Sequence, residues 1–247
     1  MNDPCISCRD LTLRFPVYGA DARSLKKRLV RVAVGGRLVQ HAKVTEITAL
    51  SGVNLELRAG DRLGLVGHNG SGKTTLLRAL AGVYEPDEGE VEVRGRVAAL
   101  LSLSLGIDPS ASGLANIRLR ARIAGLTEAV INEKLEEICA FTGLGPFLAM
   151  PMKTYSAGMQ ARLAFAAATA VEADILLMDE WIAVGDAEFQ ESANRRLHEL
   201  VDRSGILVLA SHDHGLLRRY CNKVIRMTGG MPSQLTDIES LDDLLNS

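Results

Sequence analysis

Arg62-Leu63-Gly64-Leu65-Val66-Gly67-His68-Asn69-Gly70-Ser71-Gly72-Lys73-Thr74-Thr75 carries the strongest structural signal in the 247-residue chain. Gly67 to Thr74 fit G-x-x-x-x-G-K-[ST], the pattern of a loop that cradles phosphates. The glycines let the backbone curl until several N–H groups point at one anion. Lys73 adds a point charge toward the β- and γ-phosphates, and the Thr74 hydroxyl is suited to Mg²⁺. Arg62–Val66 reads as a buried strand and Thr75–Ala81 as a helix. The positive N-terminal end of that helix would face the phosphates. The spacing therefore predicts a nucleotide site in which Gly67, His68, Asn69, Gly70, Ser71, Gly72, Lys73, Thr74 and Thr75 surround the phosphates.

A second element of such a site lies far downstream. Ile175-Leu176-Leu177-Met178 is an apolar run ending in Asp179 and Glu180. A strand buried on both faces looks like this, and ligands of α/β proteins gather beyond the C-terminal ends of such strands. Asp179 is placed to hold Mg²⁺ through water, and Glu180 to take a proton from an attacking water. Alone, the two acids could be a solvated pair at a strand end; beside a phosphate loop they predict hydrolysis by water.

A third constellation sits between these two. Tyr155-Ser156-Ala157-Gly158-Met159-Gln160 precedes an Ala-rich helical stretch, 161–170. It resembles the LSGGQ signature of ABC ATPases, departing at Tyr155, Ala157 and Met159 and keeping Ser156, Gly158 and Gln160. The order of the other segments is similar to that family too. His212, in Leu209-Ala210-Ser211-His212-Asp213, stands where the switch histidine stands. Ala183-Val184-Gly185-Asp186 corresponds to the D-loop, and Phe15 to the aromatic residue that stacks on adenine. The resemblance covers roughly residues 5 to 228. It implies the ABC ATPase type of P-loop fold: α/β, with a mainly parallel core sheet, an antiparallel β subdomain and an inserted helical subdomain. It also implies ATP and Mg²⁺ as ligands, a head-to-tail pair of copies, and Ser156, Ala157 and Gly158 facing the ATP held by the other copy. His212 would contact the γ-phosphate. Glu180, His212 and Lys73 are then the catalytic expectation, with Thr74 and Asp179 as metal ligands.

Within that family the chain resembles the ATPase subunits of bacterial polysaccharide exporters of the O-antigen, capsule and teichoic-acid type. The Tyr155–Met159 segment is similar to their YSSGM signature. Asp179–Gln190 is similar to their DE-x-L-AVGD-x-x-FQ segment, and Gly95–Leu101 through Asn116-Ile117 to their GRVxxLL…GxENI segment. The glutamine of the ordinary Q-loop is absent, with Ser102 at its place. The implied function is ATP hydrolysis that drives a multi-span membrane permease, the cargo being a lipid-linked polymer, O-antigen first among the alternatives. A soluble ABC ATPase that remodels a protein or nucleic acid is the rival class, and it usually brings a coiled coil, a zinc hook or a second ATPase copy.

Composition fits this frame. The chain is 47% apolar with 4% aromatic residues, as expected of an Ala/Leu/Val-rich α/β protein with one large core. A net charge of −2 argues against general nucleic-acid binding. No stretch approaches the roughly 20 apolar residues of a membrane span. Asp3, with no apolar run after it, argues against a signal peptide. The expected location is therefore the cytoplasmic face of the inner membrane, reached through a partner. Cys5-Ile6-Ser7-Cys8 is formally C-x-x-C but lacks two further ligands nearby, so reduced thiols are expected.

The expected organisation is an ATPase domain over 1–228 and a short tail over 229–247, which leaves no room for an added carbohydrate-binding domain. The helical subdomain spans about 112–171. Within a basic insert, about 18–43, Arg23, Lys26, Lys27, Arg28, Arg31, Arg37 and Lys43 face a single acid, Asp21. Leu25, Leu29 and Val32 recur there at helical spacing, which predicts a short amphipathic basic helix. Anionic headgroups, a substrate pyrophosphate and solvent all suit such a helix. The apolar and acidic pattern of 237–245 suggests packing on a partner copy.

Overall fold

The structure, a computed structural model, describes residues 3–17, 45–101, 106–182 and 184–246. The basic insert, Ser102 and Ala183 lie outside the described residues. Two sheets organise the fold. Strands β1 (Cys5–Val17), β2 (Thr45–Arg58) and β4 (Glu88–Arg94) form an antiparallel sheet in the order β2-β1-β4. The larger sheet runs β10-β8-β3-β7-β6-β5. Its parallel strands are β8 (Lys223–Thr228), β3 (Arg62–Val66), β7 (Ile206–Ala210), β6 (Ile175–Asp179) and β5 (Val97–Leu100). Short antiparallel strands β9 (Met231–Pro232) and β10 (Thr236–Asp237) both pair with β8.

The apolar runs exist because this sheet is covered on both faces. Successive strand side chains point to opposite sides. Ile175 and Leu177 of β6 therefore join one core with Val208 of β7 and Leu63 and Leu65 of β3. Leu176 and Met178 join the other with Leu207 and Leu209. The first core is closed by helix α1 (Lys73–Leu80) and the inner face of the antiparallel sheet. The second is closed by α5 (Ala187–Arg203) and α6 (His214–Tyr220). On α5 the buried residues Phe189, Ala193, Leu197 and Val201 recur every four positions, one face of a helix.

Helices α2 (Gly113–Ile123), α3 (Glu128–Thr142) and α4 (Ala157–Ala168) pack on one another around Ile117, Ile138, Met152 and Leu163. Their ends follow local chemistry. Ser112 caps α2, accepting from the Ala115 amide at 3.2 Å, and Gly143 ends α3 in the left-handed region. Fully buried Asn116 ties the loop before α2 to that helix. Its Oδ1 accepts from the Asp108 amide at 2.7 Å, and its Nδ2 donates to the carbonyls of Asp108 at 2.9 Å and Ser112 at 3.0 Å.

Two details are not legible in the sequence pattern. The stretch Glu88–Leu100 is two strands in two different sheets. The break falls at Gly95, whose φ of +124° allows the turn, and the Arg96 amide then anchors on Asp174 at 2.8 Å. The tail packs on its own chain. Leu241 of α7 (Leu241–Asn246) is fully buried against the second core, and Arg218 pairs with Asp242 at 2.5 Å.

Replacing Asn116 with Ala removes the three side-chain hydrogen bonds that tie the Asp108 loop to α2 and leaves the space of the fully buried side chain unfilled. The chain should lose about 3 kcal/mol of stability, seen as a lower urea midpoint with an unchanged slope. An unchanged midpoint would mean that water replaces the side chain.

Candidate functional site

Strand register gathers the candidate site. Leu65 of β3 lies opposite Ala210 of β7, and Ala210 lies opposite Asp179 of β6. The residues just beyond these positions are the Gly67–Thr74 loop, Glu180 and Ser211-His212, so the edge of the sheet formed by the C-terminal ends of its strands carries all three.

The loop is held by its glycines and by the chain around β8–β9. Gly67 has φ +141°, and a Cβ there would stand 2.3 Å from the Met227 carbonyl and 2.8 Å from Ser71 Oγ. Gly72, with φ +106°, is the N-cap of α1 and offers no side-chain cap, so the first amides of that helix are left for an anion. Gly70 also takes a positive φ, +80°. The Gly230 amide donates to the Ser71 carbonyl at 3.0 Å, tying the loop to the β8–β9 turn. Buried Lys73 donates from Nζ to the carbonyls of Gly67 at 2.5 Å and His68 at 3.2 Å. Ser71 Oγ is buried with no hydrogen-bond partner, the kind of orphaned group that an anion would satisfy. Thr75 lies in the first turn of α1, half-buried.

The acids occupy distinct settings. Thr74 Oγ1 donates to Asp179 Oδ2 at 2.7 Å, which brings the two expected metal ligands into contact. A hydroxyl and a carboxylate from two elements are hard oxygen donors of the type Mg²⁺ prefers, so the residues present fit that ion. Glu180 continues the β6–β7 pairing through its amide, bonded to the Ala210 carbonyl at 2.9 Å. Its φ is +75°, a conformation that costs a non-glycine residue about 1–3 kcal/mol and that clusters at functional sites. The turn brings its carboxylate back over β7. Oε2 accepts from Ser211 Oγ at 2.9 Å and Oε1 from the His212 amide at 3.1 Å. His212 Nε2 lies 3.1 Å from Asn69 Oδ1 and 4.0 Å from Glu180 Oε1. Asp213 follows as the cap of α6, accepting from the Gly215 and Leu216 amides.

Phe15 sits on β1 opposite Ile47, its ring edge-on to Tyr84 with centroids 5.2 Å apart. The 155–160 segment is built separately. Ser156 caps α4, accepting from the Met159 amide at 3.2 Å, and Ala157 and Gly158 open the helix in exposed positions. A Cβ on Gly158 would meet nothing closer than Ser156 Oγ at 3.9 Å. Tyr155 is buried, and its hydroxyl donates to the Phe147 carbonyl at 2.6 Å. The bonds of this segment go to Phe147, Met152 and Tyr155, none to residues 67–75. The fold thus joins Lys73, Thr74, Asp179, Glu180 and His212, and keeps Ser156–Gly158 apart from them.

Asp186 caps α5 by accepting from the Phe189 amide at 3.1 Å, and it pairs with Arg162 of α4. The Phe189 amide, and with it the Arg162 guanidinium, holds its carboxyl below the ordinary range. The thiols of Cys8 and Cys221 are pushed up to about 12 by burial, which makes them poor nucleophiles. Among the described residues no helix is long and apolar enough to cross a membrane.

Ser211 went unweighed in the sequence reading. A lone hydroxyl closing the apolar run 206–210 was its only signal, and its contact with Glu180 spans 31 positions. Trp181 enters the sequence reading only within the Asp179–Gln190 segment.

Gly67→Ala should weaken nucleotide binding by about 100-fold or more, a loss of about 3 kcal/mol, because the Cβ would stand 2.3 Å from the Met227 carbonyl. Gly82→Ala is the control: its φ is +70° but nothing lies within 4 Å of the new Cβ. Titration with a fluorescent ATP analogue distinguishes them, and equal affinity in both would refute the crowding.

The family model described as ABC transporter matches residues 50–183. The chain is 43% identical over 224 residues to the O-antigen export system ATP-binding protein of Yersinia enterocolitica, covering 90% of this chain and 94% of the relative. Identity to the O-antigen export system ATP-binding protein of Myxococcus xanthus is 38% over 242 residues, 96% of this chain but 54% of the relative. The teichoic acids export ATP-binding protein of Levilactobacillus brevis is 34% identical over 219 residues, with 89% and 58% covered. Among solved structures, a dimeric post-hydrolysis ATP-binding cassette bound to ADP and Pi is similar at a TM-score of 0.66 and 20% identity, covering 94% of this chain and 98% of that one.

Proposed function

The chain belongs to the ABC transporter family, and we propose that it is the ATP-hydrolysing subunit of an exporter of a lipid-linked cell-surface polysaccharide, O-antigen in particular. The observation that carries this reading is the 43% identity to an O-antigen export ATP-binding protein over 94% of that protein's length. Identity to the teichoic-acid relative is lower, at 34%. The permease that would move the polymer is a separate membrane protein, and this chain would work peripherally at the cytoplasmic face of the inner membrane.

The geometry supports a division of labour. ATP would lie with its phosphates along residues 67–75 and its adenine against Phe15. Lys73 would leave its loop carbonyls to meet the β- and γ-phosphates, and Ser71 Oγ would gain an acceptor. Mg²⁺, held by Thr74 and Asp179, would supply charge neutralisation across those phosphates. Glu180 takes a proton from the attacking water as the oxygen bonds to the γ-phosphorus and the bridging oxygen leaves with ADP. His212, held at Asn69, contacts the γ-phosphate and stabilises its charge. Ser156, Ala157 and Gly158 are exposed and remote in sequence and bonding from this edge, which supports their use by a second copy. There the α4 N-terminus would face the γ-phosphate across a head-to-tail interface.

Two substitutions test the roles. Glu180→Gln keeps size and hydrogen bonding but removes the base, so hydrolysis should fall by about 10²-fold while ATP still binds. Near-normal turnover would remove Glu180 from the role. Gly158→Asp places a carboxylate toward the γ-phosphate of the other copy's ATP. It should block turnover and leave binding to 67–75 intact; normal hydrolysis would disprove the assignment of 155–160. The cargo is tested by deletion in cells: surface O-antigen should disappear while lipid-linked polymer accumulates inside.

A further inference from the structure

Resting on the proposed role of Glu180 as base, we propose that Trp181 is a positioning residue for it, acting through an aromatic cluster with Tyr220 and His198. The rings of Trp181 and Tyr220 stack with centroids 4.6 Å apart and an interplanar angle of 16°. His198 lies 5.4 Å from Trp181 and 5.6 Å from Tyr220, centroid to centroid. A 2.7 Å hydrogen bond joins Tyr220 Oη and His198 Nε2, and Trp181 Nε1 donates to Asn194 Oδ1 at 3.4 Å. Three elements meet here: the end of β6, the middle of α5 and the end of α6.

What needs positioning is the backbone of Glu180, whose φ of +75° is unfavourable for an L residue. Its carboxylate is gripped from one side by Ser211 Oγ and the His212 amide. Those bonds fix the side chain but leave the following peptide free to rotate. Trp181 supplies the second anchor one residue on. With the carboxylate held at β7 and the indole held at Tyr220, the chain between them cannot relax to negative φ without breaking one contact. The anchor is also shared with the residues Glu180 must face. Tyr220 ends the helix that Asp213 caps, directly after His212, and His198 lies on the helix that Asp186 caps. A large flat ring beside the base thus ties it to both helices that begin at this edge.

The test compares the full-length wild type with Trp181→Ala, Trp181→Phe and Tyr220→Leu. The measurements are steady-state ATP hydrolysis, affinity for a fluorescent ADP analogue and thermal unfolding. Trp181→Ala should lower kcat by about tenfold or more, since small misplacements of a catalytic group are costly, with nucleotide affinity little changed. Trp181→Phe, which keeps a stacking ring and loses the Asn194 contact, should recover most of the rate. Tyr220→Leu keeps the core filled but removes the stacking face, and should reproduce the kcat loss. The chain has one tryptophan, so its emission reports this cluster alone and should shift in Tyr220→Leu. If Trp181→Ala fails to fold, Trp181→Phe and Tyr220→Leu carry the same comparison. Wild-type kcat in Trp181→Ala or Tyr220→Leu overturns the proposal. So does a loss of rate matched by an equal loss of affinity and not recovered by Phe. An inactive wild type would overturn the functional reading and this inference with it; an active wild type beside an equally active Trp181→Ala overturns this inference alone.

Discussion

The parallel pairing of β3, β7 and β6 sets where every reacting group can be. Leu65, Ala210 and Asp179 stand level across three strands, so the chain leaves the sheet at one edge three times. A shift of one residue in any of these pairings would carry the strand's apolar side chains to the opposite core and move its acid or histidine along the edge by about 3.3 Å. Both cores are apolar, so what opposes that shift is the close fit of the side chains of 175–178 and 206–210 in each of them. Hydrophobic packing far from solvent thus fixes the spacing between the Thr74–Asp179 contact and the Glu180–His212 pair.

Within that frame several local costs are concentrated at the same edge. Glu180 takes a left-handed backbone, Ser71 buries a hydroxyl without a partner, and Gly72 starts a helix without a side-chain cap. Each would be a defect elsewhere. Here the bent backbone directs a carboxylate over β7, and the uncapped helix start and the Ser71 hydroxyl leave donors for the anion proposed to bind. The surrounding segments compensate. Ser211 and the His212 amide hold the bent acid, the Met227 and Gly230 backbone walls in the phosphate loop, and Lys73 lends its charge to loop carbonyls.

Legibility in the sequence followed the range of the interactions. The phosphate loop and the acid pair are local patterns, and the structure puts the first between β3 and α1 and the second at the end of β6. The parallel core follows from buried apolar strands alternating with helices, whereas the antiparallel subdomain is implied by the family resemblance. What pattern could not supply was non-local. Whether 90–101 serves one sheet or two depends on the left-handed turn at Gly95 and on Asp174, which receives the Arg96 amide 78 positions away. The tail's apolar residues could cover any bare surface, and the one they cover is formed by Tyr220 and Val224 of the same chain. Ser211 and Trp181 draw their importance from partners on other elements. The role of Tyr155 is of the same kind: its hydroxyl reaches Phe147 and fills the space beside Gly113, where a Cβ would come within 2.3 Å.

The edge formed by residues 67–75, 179–180 and 211–212 carries donors for phosphates, a metal and a water, yet Ser156–Gly158 are built on a different part of the fold. Hydrolysis at this edge is proposed to need those three residues from a second copy. The most direct measurement is the rate of MgATP hydrolysis per subunit as the concentration of the purified chain is varied. The specific rate should rise with protein concentration and approach a plateau as the pairs fill. A specific rate that stays constant down to concentrations at which sedimentation shows only monomer would contradict it.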